Sequence, residues 1–112
     1  MIFDLEPFVK VGPLHFGMCE NEVIDILGKP LSISNNRRGE RNYRYSDISL
    51  RFSKESFQLV EVGMHPEVIF IVGEISIFKD SDVLAKLLKK DKDAYEYLGF
   101  VVFFGLGLTL TG

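Results

Sequence analysis

Hydrophobic positions along the chain change period several times, and each change marks an element. Between Met18 and Gly28, Val23, Ile26 and Leu27 recur at helical spacing while Glu20, Glu22 and Asp25 take the other face. That spacing predicts a helix stopped by Gly28, with Pro30 preventing its resumption and acids in the first turn suiting the positive end of the dipole. Ser32 to Gly39 is polar and closes on glycine, as a loop does. Period 2 then takes over. Arg41, Tyr43 and Tyr45 alternate with Asn42, Arg44 and Ser46, and Ile48, Leu50 and Phe52 alternate with Ser49 and Arg51. A turn at Ser46-Asp47 sets Tyr45 opposite Ile48 and Tyr43 opposite Leu50, leaving one apolar face and one carrying Asn42, Arg44, Ser49 and Arg51.

Phe57 to Met64 reads as a further strand in which Phe57 and Leu59 point one way and Val60, Val62 and Met64 the other, the mark of a bulge. His65-Pro66 breaks it. Val68 to Phe78, interrupted by Gly73 and Glu74, predicts a strand with a bend. Asp80-Ser81-Asp82 offers a cap ahead of Val83, Leu84, Leu87 and Leu88, which share one helical face, while Lys86, Lys89 and Lys90 fill the later turns. Phe100 to Phe104 and Leu106 to Leu110 close the chain as strands, the former apolar on both faces like a central or covered strand. The string is helix, three or four strands, helix, two strands, joined by short links. We therefore expect one α+β domain over residues 1–112, an antiparallel sheet of about five or six strands with both helices packed on one face.

Composition narrows the function classes more than the fold. The chain is 46% hydrophobic and 26% charged, as folded domains are. Ten Phe and four Tyr stand against no Trp, and Phe has no polar atom to satisfy, so these rings speak mostly for core. A net charge of −3 argues against nucleic acid as a partner. The apolar stretch from Leu98 to Leu110 is shorter than the roughly 20 residues of a membrane-crossing helix and contains Gly105, Gly107 and Thr109, so it is expected to be core, with no membrane partner. One cysteine, Cys19, makes no internal disulfide, and Asp4 and Glu6 stand where a signal peptide carries basic residues, so a cytoplasmic location is expected.

Leu14-His15-Phe16-Gly17-Met18, then Glu22-Val23, then Leu27-Gly28-Lys29-Pro30 form the signature L-x-F-G-M-x-x-x-E-V-x-x-x-L-G-x-P. This resembles a group of small bacterial proteins, some of them immunity partners of secreted toxins, and the closing residues 98–103 and 106–112 are similar to the ends of such proteins. The shorter pattern of Gly-Met, Val and Leu-Gly-x-Pro is similar to the helical start of beta-lactamase inhibitor proteins and of the small lipoprotein of the outer-membrane barrel assembly machinery. The signature itself is structural: Gly17 permits a sharp helix entry, Met18 anchors it, Val23 and Leu27 face the sheet, and Gly28 with Pro30 ends it. Ser or Thr is more usual after Met in such motifs, and here Cys19 is the poorer cap. The resemblance implies a non-enzymatic domain that binds a protein, including a toxin with an acidic surface. A small envelope-assembly module lacking its export signal is the alternative the lipoprotein likeness implies.

Candidate chemistry is sparse. Cys19 at a helix start with His15 four residues before it invites a nucleophile, but Glu20 and Glu22 oppose a thiolate, so a cap substitute or half-buried thiol is expected. His15, His65 and Cys19 lack metal-ligand spacing, and Gly105-Leu106-Gly107 lacks the lysine and helix of a phosphate loop; no cofactor is expected. Charge distribution is the stronger signal. Arg37, Arg38, Arg41, Arg44, Arg51 and Lys54 face only Glu40 and Asp47 within residues 37–54, whereas residues 1–26 carry Asp4, Glu6, Glu20, Glu22 and Asp25 against Lys10. The expected partner-binding residues are Arg41, Tyr43, Arg44 and Arg51, on the outer face of the hairpin and aimed at an acidic protein surface. A solvated sheet face is the plainer reading of the same residues. An enzyme or ligand-binding domain using Cys19 or the Arg44 and Arg51 face is a further alternative. Oligomeric state is not encoded in any feature above.

Overall fold

The computed structural model describes residues 2–111. It is α+β with two helices and mostly antiparallel pairing, but three sheets replace the expected single one. β1 (Ile2–Glu6), β2 (Lys10–Val11) and β3 (Leu14–His15) form an antiparallel ladder at the start of the chain. After α1 (Glu20–Leu27) come β4 (Ser32–Asn35), β5 (Arg41–Arg44), β6 (Ile48–Phe52) and β7 (Leu59–Met64), a four-stranded meander in chain order. β8 (Ile69–Val72) and β9 (Ile75–Ser76) return to the first sheet, giving the order β3-β2-β1-β8-β9. α2 (Val83–Lys90) then leads to β10 (Tyr95–Tyr97), β11 (Phe100–Phe103) and β12 (Leu108–Thr111), a third sheet of three strands.

Where pattern and contact agree, the register is as expected. Tyr43 faces Leu50, Tyr45 donates its N–H to the Ile48 carbonyl at 2.9 Å, and Tyr43, Ile48, Leu50 and Phe52 are buried on one side. The parity change in β7 is a bulge: Arg51 faces Glu61 but Phe52 faces Leu59, so Val60 is the extra residue. Leu59 is thereby returned to the core beside Phe52. The Gly73-Glu74 interruption is a tight hairpin rather than a bend, because Val72 faces Ile75 across it.

Four expectations need correction. β1 pairs β8 in parallel, Phe3 against Phe70, across most of the sequence, which local patterning does not reveal. Ser32–Asn35 is a strand and not loop; it is an exposed edge whose side chains bury nothing, so it carries no apolar period. The helices do not share a sheet face: α1 docks on the four-stranded sheet, where Tyr45 donates its hydroxyl proton to the Gly28 carbonyl at 2.8 Å, while α2 lies beside β9. Asp82 does not cap α2 through its side chain; Asp80 instead accepts the Ser76 N–H at 3.0 Å and draws in Lys86 at 3.8 Å.

One core draws on all three sheets and both helices. Phe3, Phe52 and Phe103, one from each sheet, meet Val23 of α1 and Leu87 of α2, each 2% exposed or less. Burial of such side chains is the main stabilising contribution, roughly 1.5 to 3 kcal/mol apiece. Among the described residues no helix is long and apolar enough to cross a membrane.

Candidate functional site

The signature segment builds the junction between α1 and the four-stranded sheet. Gly17 takes φ 94°, a turn that lets the chain enter the helix at once, and its N–H donates to the Leu59 carbonyl at 2.8 Å. Leu59 returns a bond to the Met18 carbonyl at 2.7 Å, so the segment adds to the sheet edge before becoming helix. Leu14 and Val23 are buried and Met18 and Leu27 half-buried, whereas Ile26 is exposed, so the inward stripe is Val23 and Leu27 with Ile24. Cys19 is the N-cap and is exposed. Its N–H donates to Glu22 Oε1 at 3.2 Å, and hydrogen bonds from the Cys19 side chain and then its backbone hold the Glu22 carboxyl below the usual range. An adjacent carboxylate is a poor neighbour for a thiolate nucleophile. His15 and His65 are exposed, and among the described residues no group of three or more His, Cys, Asp or Glu gathers as metal ligands.

The four residues expected to form one basic and aromatic platform divide between the two faces of the hairpin. Tyr43 is 3% exposed and Arg41 lies on its side, not with Arg44 and Arg51. Both turn toward α1. Arg41 Nη1 pairs with Glu20 Oε1 at 3.1 Å and its guanidinium stacks 4.3 Å from the centre of the Phe57 ring, while the Tyr43 hydroxyl donates to Glu20 Oε1 at 2.8 Å. Burial, followed by that bond to Glu20, pushes the Tyr43 phenol up to about 12. The charge asymmetry of the sequence is therefore partly self-complementary: an acid of α1 meets an arginine of β5.

Arg44 and Arg51 do share the outer face. With Ser32, Ser34, Asn42 and Ser49 they line a polar hollow of about 360 Å³. Arg51 is held between two carboxylates, Glu61 at 3.1 Å and Glu40 at 3.6 Å, so most of its charge is answered within the sheet. Arg44 is exposed and donates from Nε to Ser32 Oγ at 3.5 Å. Of the three platform arginines it is the one whose guanidinium meets no carboxylate among the described residues.

A second surface lies on the C-terminal sheet, where the sequence predicted core. Register places Tyr95, Tyr97, Phe100 and Val102 on one face, since Tyr95 faces Val102 and Tyr97 faces Phe100. Tyr95, Tyr97 and Phe100 are 50, 62 and 42% exposed. The opposite face, Val101, Phe103, Leu108 and Leu110, packs on the core. The apolar-on-both-faces pattern of β11 thus has one buried side and one open side. The sheet is held in place by Asp91, a buried carboxylate that accepts N–H bonds from Gly105 at 2.7 Å, Leu106 at 3.2 Å and Asp93 at 3.0 Å. It touches the start of the chain at Gly107, whose φ of 64° favours glycine and which lies against the Phe8 ring. The signal available in the sequence was Tyr95-Glu96-Tyr97, an alternating aromatic pair after a basic helix end.

Compared with protein-family models, with curated proteins and with solved structures, the chain matches none.

Proposed function

We propose that this chain is a non-enzymatic, protein-binding domain of immunity type, which blocks a toxin or other partner by covering part of its surface. The observation that carries this reading is the open aromatic face of the C-terminal sheet. Tyr95, Tyr97 and Phe100 stand together on a strand frame tied down by Asp91, and Leu98 is exposed at the turn between Tyr97 and Phe100. Rigid aromatic side chains bring large contact area at little entropic cost, and clusters of them on a surface are what interface cores are made of. The signature from Leu14 to Pro30 supports the immunity type by resemblance alone.

Charge supports an acidic partner. Lys89 and Lys90 in the last turn of α2 and Lys92 just beyond it lead into β10, and all three are exposed. Together with Arg44 they offer cations that would steer an acidic surface toward the aromatic face, acting chiefly on association rate. Arg41 and Tyr43 are assigned to the fold and Arg51 to the sheet's own ion pairs, so of the four platform residues Arg44 alone is retained for recognition.

The test is to isolate the partner by affinity capture, purify it, and titrate it with this chain. Stoichiometric inhibition of the partner's activity, in a complex that survives gel filtration, is the expected outcome. A purified partner whose activity is untouched at saturation contradicts the blocking role, and substrate turnover by this chain alone contradicts the non-enzymatic one.

A further inference from the structure

Two sheets of the fold end on strands that leave an edge open to the same cleft. Among the strands of the described residues β7 pairs with β6 alone and β12 with β11 alone. Val60–Met64 of β7 and Gly107–Leu110 at β12 both line a cleft of about 380 Å³, whose remaining walls include Leu5, Val11 and Phe70. An open edge is a row of backbone donors and acceptors waiting for another strand.

The ladder register identifies those groups on β7. His65 donates its N–H to the Asp47 carbonyl at 3.1 Å, Gly63 faces Ser49 and Glu61 faces Arg51. Bonded and non-bonded pairs alternate in an antiparallel ladder, so Glu61 and Gly63 exchange bonds with β6, while Val62 and Met64 turn their N–H and C=O groups away from it. The same edge already accepts extended chain at its start, where Leu59 is bonded to Gly17 and Met18. Val62 and Met64 are the continuation of that edge into the cleft. Glu61, 56% exposed at the side chain and paired with Arg51 at 3.1 Å, is the charged residue of a lining whose other members are apolar or, like Thr109, uncharged.

We propose that this cleft receives an extended segment of the partner protein, which adds to β7 as a further strand. Its backbone pairs with Val62 and Met64, its alternate side chains are apolar and enter the cleft, and where it passes Glu61 it carries not an acid but a Lys or Arg, which shares the exposed carboxylate with Arg51. This rests on the reading of the chain as a protein-binding domain and adds the chemistry of what is bound.

Amide hydrogen exchange with a defined probe tests it: an end-capped peptide alternating Thr and Val with Lys at both ends, and the same peptide N-methylated at its valines. In the free chain the Val62 and Met64 amides should exchange at least about tenfold faster than that of Gly63. The parent peptide at millimolar concentration should slow Val62 and Met64 severalfold, the N-methylated peptide should not, and Val62→Pro, which removes an outward N–H and no bond to β6, should abolish the response while Gly63 stays protected. If Val62→Pro fails to fold, the N-methylated peptide answers the same question. The proposal is overturned if Val62 and Met64 are already protected in the free chain. It is overturned equally if the peptide leaves them unprotected or protects Ser32–Asn35 of β4 in their place, or if both peptides act alike. Any of these failures leaves the inhibition titration of the purified partner untouched, so the strand slot and the binding role fail separately.

Discussion

The four-stranded sheet and the C-terminal three-stranded sheet use similar residues to opposite ends. In the former, the tyrosine and arginine that look most like interface anchors are consumed internally: Tyr43 and Arg41 both close on Glu20 of α1, and Arg51 lies between Glu40 and Glu61. In the latter, Tyr95, Tyr97 and Phe100 keep about half of their surface open to solvent, while a buried acid, Asp91, fastens the sheet through the Gly105 N–H. Residue type alone does not separate an anchor from a structural clamp. What separates them is whether the fold supplies a partner for the side chain: α1 supplies Glu20 to Arg41 and Tyr43 of β5, whereas among the described residues Tyr95 and Tyr97 of β10 stay exposed.

The comparison breaks most visibly under truncation of aromatic rings. Phe52 is wholly buried with its ring 4.8 Å from that of Tyr43, so Phe52→Ala should cost about 3 to 5 kcal/mol in a denaturant titration. Phe104→Ala, removing a mostly exposed ring beside the C-terminal sheet, should cost under about 0.5 kcal/mol. Equal losses would mean that the Phe104 ring is packed as Phe52 is and does not belong to the open side of the C-terminal region.

Asp91→Ala ranks next. It strips the acceptor from the N–H groups of Asp93, Gly105 and Leu106 and should destabilise by about 2 to 3 kcal/mol. Hydrogen exchange sharpens the outcome: amides of β11 and β12 should speed up while those of β5 and β6 hold. A uniform rise would show that the two regions open as one unit.

Glu20→Gln should cost about 1 to 2 kcal/mol through Arg41 and Tyr43. It also tests the alkaline limb. Because the folded-state pKa of Tyr43 is raised, its contribution to stability is complete below the ordinary phenol value of 10 and is lost as pH climbs through about 12. Ultraviolet titration should find Tyr43 ionising earlier in Glu20→Gln, though still late, since burial is the larger cause. No change in its titration would remove Glu20 from the clamp. The smallest effect belongs to Cys19→Ser, which places a hydroxyl at the N-cap of α1 and should stabilise by no more than about 1 kcal/mol with binding unchanged. Abolished binding in that variant would return Cys19 to the site.

What could be read in advance follows the range of the interactions. The β5–β6 hairpin, α1 with its Gly28 ending and the bulge beside Val60 are local, each announced by parity or spacing within a few residues. The parallel pairing of Phe3 with Phe70 and the Glu20–Arg41 contact join distant segments, and no local pattern encodes them. β4 was missed because an edge strand exposed on both faces needs no apolar alternation. The arginine platform misled for a related reason. Period 2 places Arg41 and Tyr43 together correctly, but which side of the sheet receives α1 is decided by tertiary packing.

The central claim is that the complex is held by the aromatic face of the C-terminal sheet, with Arg44 of the hairpin acting on association alone. Binding kinetics of the purified partner with Tyr97→Ala and Arg44→Glu test it directly, with the β5 and β6 amides checked for intact protection in both. The account predicts that Tyr97→Ala weakens the complex by about thirtyfold or more, mainly through faster dissociation. Arg44→Glu should change association by about tenfold at low salt and little at high salt. Unchanged dissociation in Tyr97→Ala, with Arg44→Glu abolishing binding at every salt concentration, would contradict the account and return the interface to the outer face of the hairpin.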